Sequence, residues 1–174
     1  MTIQPFWVNV NEPTLRQGDY LPQCLVPVFG PNFDGDTDIQ DVQVNEFDLI
    51  IVTQSCDLEN KKARLVAMIP IYPISEFEKI NPAFAKKGRW NDVLKGRVEG
   101  LHMLASPTNP ANNREALVVD FREIYSLPYD YLVKHSTELG SRWRLRSPFL
   151  EHFSQTFARF FMRVGLPSTI PEFK

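Results

Sequence analysis

The chain has 174 residues, 43% of them hydrophobic and 12% aromatic, with a formal net charge of −2, which is enough apolar side chain for one core and a single domain over residues 1–174. The mildly acidic balance excludes a protein that coats nucleic acid over its whole surface and confines any polyanion site to one face. Two cysteines, Cys24 and Cys56, exclude a disulfide framework and a zinc finger, no apolar run approaches the roughly 20 residues of a membrane span, and the start lacks the pattern of a secretory leader. The expectation is a cytoplasmic chain with free thiols and no membrane, metal or cofactor.

Fourteen prolines break the chain into short elements. Residues 25–29 predict the first strand, and Pro27, which cannot donate a ladder hydrogen bond, puts it at an edge or a bulge. The stretch from 30 to 41, holding Asp34, Asp36, Asp38 and Asp41, reads as an exposed acidic loop. Residues 47–53 are apolar on both alternating faces and rich in β-branched side chains, the pattern of a central strand covered on two sides. Residues 63–72 repeat it, and the polar run 57–62 suits a hairpin connection, so the two strands should pair antiparallel.

Ser75 with Glu78 matches a capping box, predicting a short helix there and irregular helix past Pro82 to Lys95. Residues 101–104 and 116–124 give two more strands around the turn-rich segment 106–113, with Asp120 and Arg122 pointing outward in the second. Ser147 as N-cap, Pro148 at the first helical position, and Gly165 with Pro167 beyond predict a helix over 148–164. Leu150, Phe153, Phe157, Phe160, Phe161 and Val164 share its apolar arc, while His152, Thr156, Arg159 and Arg163 line the margin.

Chemistry is suggested in two places. The run Thr53-Gln54-Ser55-Cys56-Asp57 closes a buried strand, where residues are held rigidly yet reachable. Cys56 there reads as a nucleophile with Asp57 orienting and His102 or His152 as base, Gln54 and Ser55 touching the ligand. The bland reading is a small buried hydrophobe followed by a turn-capping aspartate, and a third is a metal ligand. The second place is cationic: from Arg142 to Arg163 there are five arginines, Arg142, Arg144, Arg146, Arg159 and Arg163, against Glu151 alone. With Trp143 interleaved and His152 nearby, that set suits a phosphate backbone and a stacked base. The bland reading is helix-margin arginines paired with carboxylates, and the opposed acidic loop also suits an intramolecular or dimer contact.

In order along the chain, Gly18-Asp19-Tyr20, the apolar strand 49–54, Leu65-Val66-Ala67-Met68-Ile69-Pro70 and residues 116–132 resemble the PemK/MazF-like family of toxin ribonucleases. The resemblance implies an α+β fold: a small antiparallel SH3-like β-barrel over about residues 15–133, with loop insertions and the C-terminal helix packed on it. It also implies a toxin–antitoxin-like setting and a homodimer. That family's arginine before the central strand and its hydroxyl residue at the end of the next fall here on Phe47 and Pro70, which neither stabilise a phosphorane nor transfer a proton. The expected function is thus an RNA- or protein-binding module without the family's ribonuclease activity, the alternative being an enzyme built on Cys56.

Overall fold

The computed structural model describes residues 5–30, 33 and 42–162. Eight antiparallel strands form its framework: β1 (Trp7–Val10), β2 (Asp19–Phe29), β3 (Val42–Ile51), β4 (Leu65–Pro73), β5 (Leu101–Leu104), β6 (Leu117–Asp120), β7 (Tyr125–Pro128) and β8 (Arg142–Leu145). Five helices join them: α1 (Ser55–Glu59), α2 (Ile74–Ile80), α3 (Arg89–Leu94), α4 (Tyr129–Leu139) and α5 (Phe149–Phe161). Strand order runs β1-β8-β2-β3-β4-β6-β5, with β7 beside β4, so the fold is α+β on an open antiparallel path. The two ends of that path are linked by the indole Nε1 of Trp7 in β1, which donates to the carbonyl of Ala105, just past β5, at 2.7 Å.

Strand periodicity explains why the end of β3 from Leu49 to Ile51, and β4 from Val66 to Ile71, are apolar throughout. Alternate side chains point to opposite faces. Ile50 and Ile69 join Phe121 and Phe153 in one buried cluster, while Leu49, Ile51 and Met68 join Leu58 of α1 and Leu132 of α4 in another. Both faces are covered, as the sequence pattern requires. Phe153 carries α5 onto the first cluster and is fully buried, which contributes about 1.5–3 kcal/mol.

Several expectations are corrected. The predicted strand over 116–124 ends at Asp120, where the chain turns; a separate strand, β7, begins only at Tyr125, and β6 and β7 pair with different parts of β4. Asp120 does not point outward but is 4% exposed, because the turn brings Arg122 back over it, with Nε donating to the carboxylate at 2.8 Å. The connection at 57–62 is not a plain hairpin, since α1 occupies its first part. Helix α2 starts at Ile74 after Pro73, so Ser75 lies inside its first turn and caps nothing. Pro148, not Ser147, is the N-cap of α5, and Phe161 is exposed rather than buried. The acidic residues 34–41 and the C-terminal positions Arg163, Val164, Gly165 and Pro167 lie outside the described residues. No helix among the described residues is long and apolar enough to cross a membrane.

Candidate functional site

Strand β8 reads Arg-Trp-Arg-Leu, and a period of two puts Arg142 and Arg144 on one face with Trp143 on the other. Both guanidinium groups converge on Asp19 at the start of β2, which is wholly buried. Arg142 Nε donates to Asp19 at 2.7 Å, and its terminal nitrogens donate to the carbonyls of Glu12 (2.8 Å) and Thr14 (2.6 Å). Arg144 donates to both oxygens of Asp19, to the Glu12 carboxylate and to the Thr14 carbonyl. The hydrogen bond from Arg144 holds the Glu12 carboxyl below the usual carboxylate range. These contacts stitch residues 12–19 to β8 and leave neither arginine reaching outward. Arg146, beyond the strand end, is exposed, and its backbone N–H donates to the Phe6 carbonyl at 2.9 Å.

Cys56 is exposed on α1. Its sulfur lies 3.7 Å from Gln54 Oε1 and 3.9 Å from Asp57 Oδ1, and no imidazole approaches it. Ser55 Oγ accepts from the backbone N–H of Gln17 at 3.1 Å, so this hydroxyl tethers the β1–β2 connection. His135 is engaged elsewhere, its Nε2 2.7 Å from the Pro22 carbonyl. The proposed Cys56–Asp57–His102 grouping is not assembled.

What the fold does assemble is a cleft of about 770 Å³ between α5 on one side and β5 with its preceding loop on the other. On α5, His152, Thr156 and Arg159 recur at helical spacing and line one wall. Phe6 and Phe149, stacked with ring centroids 3.7 Å apart, and Phe160 add aromatic surface. His102 projects from β5 between them, its ring 5.2 Å from that of His152 and 6.0 Å from that of Phe121 at an interplanar angle of 22°. It is 8% exposed. Burial, with help from the neighbouring His152, pushes its imidazole down to about 4, so the ring is neutral near pH 7. Behind it Gly100 takes φ +81°, and a Cβ there would stand 3.1 Å from Phe160 and 3.2 Å from Arg122. Glycine lets the chain pass under both side chains.

His152 and Arg159 are exposed, and among the described residues neither has an ion pair or a side-chain hydrogen bond. The cleft therefore gathers His102, His152 and Arg159, while Arg142, Arg144, Cys56 and Asp57 stand apart from it. The Phe6–Phe149 wall and the Gly100 turn had no distinctive sequence signal, since Phe6 precedes the first strand and meets α5 only through the fold. Among the described residues, no three His, Cys, Asp or Glu side chains gather as a metal site. Comparison of the chain with known protein families, curated proteins and solved structures finds no match.

Proposed function

We propose that the chain is a PemK/MazF-like small-barrel protein that binds single-stranded RNA without the family's ribonuclease chemistry, and that the α5–β5 cleft is where the strand lies. The observation that carries this reading is the meeting of exposed cationic and imidazole groups with aromatic side chains in one concavity. Phosphates are met by guanidinium donors, and bases stack on aromatic rings whatever their identity. The overall acidity of the chain fits a local footprint of this kind rather than a basic coat. The Trp7–Ala105 hydrogen bond between the two ends of the strand path favours the SH3-like barrel as the description of how the sheet curls. Phe47 packs on Tyr125 at 5.1 Å and Pro70 is buried within β4, so neither position offers a group for phosphoryl chemistry.

Fluorescence anisotropy with a labelled oligoribonucleotide at several salt concentrations tests the reading. Affinity should fall as salt rises, and Arg159→Ala should weaken binding and reduce the log–log salt slope by about 1. Binding that is absent, or indifferent to salt, rejects it.

A further inference from the structure

The geometry points to His102 as a base-reading residue: one nucleobase of the bound strand enters the cleft and hydrogen-bonds through its edge to the His102 imidazole. This rests on the RNA-binding reading and adds a sequence preference to it. No buried side-chain nitrogen or oxygen among the described residues lacks a hydrogen-bond partner. The ring nitrogens of His102 have none, so they reach the open space of the cleft even though the residue is 92% covered. Open to the cleft on an otherwise covered side chain, those nitrogens are polar atoms that a ligand entering it would meet.

The chemistry of the ring narrows what that something is. A neutral imidazole carries no charge for a phosphate but offers one N–H donor and one bare nitrogen acceptor. Nucleobase edges present the same mixture, and unstacked bases of single strands are recognised through them. His102 lies nearly parallel to Phe121, and Phe160 adds an aromatic face to the same cleft. The volume of about 770 Å³ lies within the range of about 300–1,000 Å³ typical of sites that enclose a small ligand. His152 and Arg159, exposed on the helix, meet the backbone instead. The division is the usual one, with the outer polar groups positioning the strand and the inner neutral ring specifying the base.

The test compares four homo-oligoribonucleotides of one length, an abasic oligomer and the four nucleoside monophosphates, using wild type, His102→Ala, His102→Gln and Arg159→Ala. Wild type should separate its best and worst homo-oligomers by on the order of tenfold. His102→Ala should level them without changing the salt slope, and His102→Gln, which keeps a neutral donor and acceptor, should retain part of the preference and guards against a folding defect in the alanine variant. Arg159→Ala should weaken all oligomers alike and keep their ranking. Equal, salt-sensitive affinity of wild type for all four homo-oligomers and the abasic strand overturns the base-reading role while leaving RNA binding intact. A monophosphate that competes as tightly as the best oligomer overturns the strand as its source, and loss of all binding removes the RNA reading itself.

Discussion

Around Asp19, two arginines are held out of water with their donors matched to carboxylates and carbonyls. In the α5–β5 cleft the side chains of a nearly buried histidine, an exposed histidine and an exposed arginine have no hydrogen-bonding protein partner among the described residues. Both places draw on arginines from the C-terminal part of the chain, Arg142 and Arg144 in one and Arg159 in the other. Their difference shows that cation count does not locate a binding surface. What matters is whether the fold has already satisfied the charge: the Asp19 cluster is a tie between strands, and the cleft is where polarity is left for a ligand.

The largest expected effect breaks the tie. Asp19→Ala leaves Arg142 buried without its carboxylate and should destabilise the fold by about 3–5 kcal/mol in urea titration, whereas Arg159→Ala should stay within about 0.5 kcal/mol of wild type. Equal losses from the two substitutions would erase the distinction between the regions.

Acid offers the next contrast. Because the folded state holds His102 near 4 against an unperturbed 6.5, it takes up that proton less readily than the unfolded chain. Stability is therefore intact above about pH 6.5 and falls as pH drops toward 4, by up to about 3 kcal/mol. Glu12 and Glu78, lowered by Arg144 and Arg114, contribute their own loss only below the ordinary carboxylate value of 4.5. Chemical denaturation of His102→Gln should thus be flatter than wild type between pH 6.5 and 4.5, and identical profiles would contradict the buried, neutral ring.

A smaller effect belongs to the cleft floor. Gly100→Ala places a Cβ against Phe160 and Arg122 at a positive φ and should cost about 1–2 kcal/mol in thermal or urea unfolding, with a loss of RNA affinity larger than stability alone explains. The smallest concerns the thiols. Iodoacetamide should label exposed Cys56 and spare Cys24, which is buried and pushed up to about 12. Alkylated protein should bind RNA as before, and a loss of binding would return α1 to the site.

The central strands were legible because two-sided burial leaves an unbroken apolar run, as in Leu49-Ile50-Ile51. The amphipathic helix α5 was legible within a residue or two at its start, through the spacing of Phe153, Phe157 and Phe160. Strand β8 was not, because Arg142-Trp143-Arg144-Leu145 was weighed for its charge rather than its alternation. Its partner Asp19 lies more than a hundred residues away, so nothing local revealed that the charge was matched. His152 and Arg159 could be placed on one stripe from helical period alone. The approach of His102 to that stripe could not, since it depends on β5 pairing with β6 and on α5 folding across both.

The most direct measurement is imidazole NMR of histidine-labelled protein during titration with a single-stranded oligoribonucleotide. The chain has three histidines. His102 and His152 face the cleft, while His135 is bonded to the Pro22 carbonyl and serves as the internal reference. The His102 and His152 resonances should shift together and saturate at one RNA concentration while His135 stays fixed. RNA binding that leaves both cleft histidines unmoved, or moves all three alike, would contradict binding in the cleft.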